Sequence, residues 1–152
     1  MIVQRGMDLA NDFTKAWRRR ANLVLTGVAN GAGCKQVEFV SSALVTEALA
    51  RREGMHFAWE KSYARVELET DSKVLVDIIN GARRCPTEVE VVIADILHLA
   101  GFLEVKFQYV KRTSNIVSHT VAHWNYQGVL EAEWLTTFPS WLYQALLKYL
   151  CC

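Results

Sequence analysis

Hydrophobic and polar residues alternate through Val66-Glu67-Leu68-Glu69-Thr70, the period of a strand that buries one face. At Asp71-Ser72 the period changes. Val74, Leu75, Ile78 and Ile79 then form a helical stripe, and Asp71 or Ser72 is the residue type that caps a helix start by accepting its orphan backbone N–H groups. The pattern predicts a strand over 65–70, a helix over 72–80 and a junction at Asp71. Ligands bind at the carboxyl ends of strands in open α/β sheets, so Asp71 is a candidate site residue as well as a candidate cap.

Upstream, the runs 22–28 and 34–40 are rich in strand formers and flank Asn30-Gly31, the dipeptide that most strongly marks a hairpin turn. An antiparallel hairpin is expected there. Ile2-Val3 is a candidate short strand, and 8–13 a strand or a turn. Ser41 or Ser42 caps a predicted helix that runs to Gly54 or a little past it, with Leu44, Ala48 and Leu49 on its apolar side and Glu47 beside that stripe. Downstream, Gly81 ends one helix and Pro86 suits the first turn of the next. Val89, Val92, Ile93, Ile96, Leu97 and Ala100 recur at three- and four-residue spacing and predict a helix over 87–100. A half-buried strand follows over 103–110, and Ser114-Asn115 cap a helix from Ile116 to about Tyr126. The tail, with Trp134, Phe138, Trp141, Leu142, Leu146 and Leu147, reads as an amphipathic segment laid over the core or a partner. Taken together, these elements predict a mixed sheet with helices packed on it.

The 152 residues, 51% of them hydrophobic, suffice for one core and not for two comfortable domains. A formal charge of +1 sets up no global field, so any basic surface has to be local. Lys111-Arg112 is the candidate phosphate grip, with Arg51-Arg52, Arg83-Arg84 and Arg18 to Arg20 as extensions. Four scattered cysteines without a C-x-x-C pair point to reduced thiols. No run reaches signal-peptide or transmembrane length. A soluble, intracellular protein of nucleus or cytoplasm, with no membrane partner, is the expectation.

Three positions line up: Glu47 on the first helix, Asp71 at the strand end, and Asn115-Ile116-Val117-Ser118-His119 at the start of a later helix. Here the chain resembles the ribonuclease H type-1 superfamily, and within it the plant reverse-transcriptase-related RNase H-like domains. The resemblance rests on Ser42-Ala43-Leu44-Val45-Thr46-Glu47-Ala48-Leu49-Ala50 with Arg52-Glu53-Gly54, on Val66 to Ser72, and on Val105-Lys106-Phe107-Gln108-Tyr109-Val110-Lys111-Arg112 leading into Asn115. Trp134-Leu135 and Pro139-Ser140-Trp141-Leu142 extend it, so that it spans 38–142.

The resemblance implies an α/β fold: a mixed five-stranded sheet, three strands antiparallel and two parallel, with helices on both faces. It implies a domain over 21–127, a divergent or truncated segment 1–20 holding a possible first strand, and an amphipathic extension over 128–152. The implied function is nucleic-acid binding in the RNA–DNA hybrid endoribonuclease class. In that chemistry clustered carboxylates hold two Mg²⁺ or Mn²⁺ ions, one activating water and one steadying the leaving oxygen. Glu47 would be the helix-borne ligand and Asp71 the strand-end ligand. The family's first acid stands on the first strand in an Asp-Gly context; Asp12, or Asp8, is the upstream acid available for that role, and neither precedes a glycine. His119 stands where the last-helix acid falls, and an imidazole does not replace a carboxylate's charge for Mg²⁺. Lys111, Arg112, Asn115 and Ser72 would contact the nucleic acid, an RNA–DNA hybrid or RNA recognised through its 2′-hydroxyl.

A catalytically inactive binding or interaction module with the same fold is the alternative, and the discriminating feature is whether the N-terminal strand brings a carboxylate to Glu47 and Asp71. A third expectation is a fragment whose missing first strand makes it depend on a partner for stability. His119 and His123 have an H-x-x-x-H spacing that ligates zinc only if Cys or acid partners converge on it. The five tryptophans are either base-stacking platforms or core packing.

Overall fold

The computed structural model describes residues 2–6, 12–19, 28–36, 40–114, 116–125, 131–135 and 137–150. In chain order the strands are β1 (Ile2–Gly6), β2 (Asp12–Arg19), β3 (Val28–Gln36), β4 (Arg65–Thr70), β5 (Glu104–Tyr109) and β6 (Glu131–Trp134). The helices are α1 (Ala43–Glu60), α2 (Lys73–Ile79), α3 (Glu90–Ala100), α4 (Ile116–Asn125) and α5 (Ser140–Leu150), with a 3₁₀ turn at Thr87–Val89 leading into α3.

One sheet carries all six strands in the order β5-β4-β1-β2-β3-β6. β1, β2 and β3 are antiparallel neighbours, while β4 lies parallel to both β1 and β5. That is the expected mixed sheet, with β6 added antiparallel along β3. The short N-terminal strand holds the central place: β1 pairs Ile2 with Leu68 and Val3 with Glu69 on one side, and with β2 from Ile2 to Gly6 on the other. Backbone groups at the middle of the sheet thus find partners, as burial requires.

The Asn30-Gly31 pair is not a hairpin turn. Both residues lie inside β3, opposite β2, where Trp17 pairs with Gly31 and Arg18 with Ala29. Asn30 is the extra residue between those pairs, so the turn-forming dipeptide is used for a bulge, another irregularity that such residues accommodate. The predicted strand over 22–28 falls mostly outside the described residues, as do 37–39 of the returning strand.

α1 begins where Ser42 caps it, accepting from the Val45 N–H at 3.3 Å and donating to Glu88 Oε1 at 3.0 Å. It runs past Gly54 to Glu60 because Met55, Phe57 and Ala58 are buried there, and tertiary packing outweighs the helix cost of one glycine. α2 ends as predicted: Asn80 is its cap, and Gly81 takes the left-handed φ of +74° that closes a helix without a Cβ penalty.

α1, α3 and the buried side of β4 enclose an aliphatic core that includes Met55, Leu68, Leu75, Val89 and Ile96. A second cluster joins α4, α5 and β6 through Val117, Val121, Leu142 and Leu146. Both α1 and α4 cross β1 and β2 while building separate clusters, which places helices on both faces. Trp124, Trp134 and Trp141 seal the second cluster: Trp124 stacks on Trp141 at 5.4 Å, and Trp134 meets both rings edge-on at 5.0 and 5.5 Å. These three tryptophans pack against one another, and within the tail residues 131–134 and 140–150 form a strand and a helix. Trp59, by contrast, is exposed.

Candidate functional site

The site forms where α1 passes the carboxyl end of β4. Glu47 lies one turn into α1 with its side chain 12% exposed, and Asp71 follows the last residue of β4. Thr70 connects them. Its hydroxyl donates to Glu47 Oε2 at 3.3 Å and accepts from the Ser72 N–H at 3.0 Å, which holds the strand-to-helix junction against α1. Ser72 Oγ accepts from the Leu75 N–H at 3.3 Å and so caps α2. The Val110 N–H donates to the Thr70 carbonyl at 2.8 Å, which brings the end of β5, and Lys111-Arg112 after it, beside the same junction. Lys111 and Arg112 are exposed.

Arg51 was the residue that sequence reasoning misplaced. It is not part of a basic surface: it is buried to 0% exposure, one turn beyond Glu47, and its Nη2 donates to Glu47 Oε2 at 2.9 Å. Burial pushes its guanidinium down to about 10, and the nearby Glu47 and Asp71 carboxylates oppose that fall, so it stays charged at neutral pH. Among the described residues its Nε and Nη1 find no hydrogen-bond partner. Holding a cation there is costly, and Glu47 and Asp71 are what offset the cost. The spacing was legible, because Glu47 and Arg51 stand at i and i+4 with the acid first, the favoured orientation of a helical ion pair. Arg52 does reach the surface side, contacting Glu53 at 3.6 Å and Asp95 at 3.5 Å.

The remaining candidates are distributed differently. Asp12 opens β2 and pairs with Gln36, so β1 stands between its strand and β4. It does not lie on the first strand. That strand reads Ile-Val-Gln-Arg-Gly and contains no acid. The register Ile2 to Leu68 and Val3 to Glu69, carried two residues on, sets Arg5 level with Asp71, with Gly6 after it. The first strand thus ends in Arg-Gly where the resemblance implies Asp-Gly. His119 and His123 lie on α4, with side chains outside the description, and Asn115 is outside the described residues altogether.

This donor set can be compared with what two Mg²⁺ ions require. Mg²⁺ takes a few carboxylates plus water and substrate oxygens, and a pair of ions needs a cluster of acids to balance their charge. Glu47 and Asp71 supply two, and a buried guanidinium already sits on one of them. Among the described residues no three His, Cys, Asp or Glu side chains come together as a metal site. These residues do not fit a two-ion centre.

The fold and the acid-bearing strand end define an RNase H-like protein. A sequence model of the reverse transcriptase-like family matches residues 21–125, more than half of the chain. The chain belongs to that family. Among solved structures, RNase H1 from the halophilic archaeon Halobacterium salinarum superposes with a TM-score of 0.71 at 14% identity, over 84% of this chain and 98% of that one. The N-terminal RNase H domain of a Mycobacterium tuberculosis protein, solved as a maltose-binding-protein fusion, gives 0.55 at 12% identity, over 81% and 92%. An RNase H1 designated LC11, solved with an RNA/DNA hybrid, gives 0.51 at 15% identity, over 81% and 94%. No curated protein sequence matches the chain. No described helix is long and apolar enough to cross a membrane.

Proposed function

We propose that this chain is a nucleic-acid-binding module that keeps the RNase H fold and holds RNA–DNA hybrid or RNA without hydrolysing it. The observation that carries the reading is at β1: its sequence holds no acid, and its pairing of Ile2 with Leu68 and Val3 with Glu69, carried two residues on, runs to Arg5 rather than to a carboxylate. Support for binding comes from Lys111 and Arg112, exposed beside the Thr70–Ser72 junction, where phosphate contacts would position a duplex without reading its sequence. The LC11 RNase H1 of the same fold was solved with such a hybrid. Two-metal hydrolysis, with Glu47 and Asp71 as Mg²⁺ or Mn²⁺ ligands and Asp12 or His119 completing them, is the competing reading, and it needs more negative charge than Glu47 and Asp71 supply.

The test is fluorescence anisotropy with a labelled hybrid at several salt concentrations, run beside cleavage assays in Mg²⁺ and in Mn²⁺. The folded chain is expected to retain the hybrid intact. Lys111→Ala with Arg112→Ala should reduce the slope of log affinity against log salt by about 2, the loss of two phosphate contacts. Metal-dependent cleavage abolished by Asp71→Asn would overturn the reading in favour of the hydrolase. A folded chain that binds no nucleic acid would overturn it in favour of a protein-interaction role.

A further inference from the structure

We propose that the Arg51 guanidinium is a built-in counter-cation for the Glu47–Asp71 pair, making this centre an internal ion-pair junction that excludes divalent metal. The inference rests on reading Glu47 and Asp71 as the family's carboxylate positions.

The geometry argues for it in three ways. Arg51 Nη2 occupies Glu47 Oε2 at 2.9 Å, and Thr70 Oγ1 donates to the same oxygen at 3.3 Å, so the carboxylate edge nearest the strand end is committed to protein donors. Arg51 is completely buried, so the cation is part of the interior and an ion could enter beside Glu47 only by disturbing that packing. The Asp71 carboxylate, with Glu47, also opposes the fall that burial imposes on the guanidinium's pKa. One positive charge between two negative ones leaves little field to attract a dication, and an entering ion would strand a buried guanidinium beside it. The junction then has a mechanical role: it clamps α1 to the end of β4 through Thr70, and β5 to that end through the Val110 bond.

The test uses Mn²⁺ alone, followed by electron paramagnetic resonance and by thermal unfolding, with no nucleic acid present. Failure of hybrid binding therefore leaves it untouched. The wild-type chain should show no stoichiometric Mn²⁺ site, and its Tm should not rise with added Mn²⁺, since only an ion that binds the native state raises it. Arg51→Met keeps the bulk and removes the charge. It should bind Mn²⁺ at least about tenfold more tightly than wild type, with Tm rising as metal is added. Glu47→Gln with Arg51→Met should lose that site and regain much of the Tm lost in either single variant. Stoichiometric Mn²⁺ binding by wild type, removed by Asp71→Asn, would overturn the proposal. So would a folded Arg51→Met chain that gains no affinity. Should Arg51→Met fail to fold, the double variant decides: a double variant that folds supports the ion pair, and one that also fails to fold contradicts it.

Discussion

β1 and β4 lie side by side and parallel at the centre of one sheet, yet they end in opposite chemistry. β4 carries buried Val66 and Leu68, with Glu67 half-buried and Glu69 buried as well, so the strand is covered on both faces toward its end, where Asp71 follows it. β1 ends in Arg5-Gly6. In a two-metal site neighbouring strand ends would both contribute negative charge, and the ions would bind the sum. Here one strand end brings an acid and its neighbour a base, and the nearby helix adds Arg51 against Glu47. The difference shows that the backbone pairing of β1 with β4 does not require an acid at position 5.

Substitutions on and around the two strands separate these contributions. The largest effect should come from the packed side of β4. Leu68 is fully buried in the aliphatic core, and Leu68→Ala should lower stability by about 4 kcal/mol in urea unfolding, transfer and cavity costs combined. Next is Arg51→Met, which leaves Glu47 without its guanidinium and should cost about 3 kcal/mol in the same assay, the order expected when one partner of a buried pair is removed. Adding Arg5→Asp to Arg51→Met sets an acid level with Asp71. Mn²⁺ affinity should then increase by about a further tenfold, or about 1.4 kcal/mol, over Arg51→Met alone by calorimetry. The smallest effect lies at the opposite end of β4, where Arg65 meets Glu104 at 3.0 Å with both side chains mostly exposed. Arg65→Ala should change stability by no more than about 0.5 kcal/mol, because water and salt screen the pair. The contrast between Arg51 and Arg65 measures what burial adds to an ion pair.

Much of the central architecture could be read from residue order. The change of period at Asp71-Ser72 became the junction of β4 and α2, and the three- and four-residue spacing after Pro86 became α3 behind a 3₁₀ turn. Those segments have strong local periods that agree with their tertiary surroundings. β2 and β6 were not legible. The run Asp12–Arg19 lacks a clean alternation, and Glu131–Trp134 is four residues long; each depends on the strand it pairs with more than on its own pattern. Asn30-Gly31 misled because the same conformational freedom serves a turn or a bulge, and only the partner strand decides.

The candidate site was half legible for a related reason. Glu47 and Asp71 follow from their elements, but Thr70 as the bond between them needed the approach of α1 to β4. Arg51 looked like surface because Arg52 follows it and arginine is rarely fully buried without a partner. Arg5 could be placed only once the β1 register against β4 was known.

The most direct measurement is cleavage of a labelled RNA–DNA hybrid by the folded chain in Mg²⁺ and Mn²⁺, with anisotropy reporting binding in the same samples. A bound and uncut hybrid is expected in both metals. Metal-dependent cleavage that disappears in Asp71→Asn would contradict it, and would show that Arg5 and Arg51 do not prevent a working metal centre.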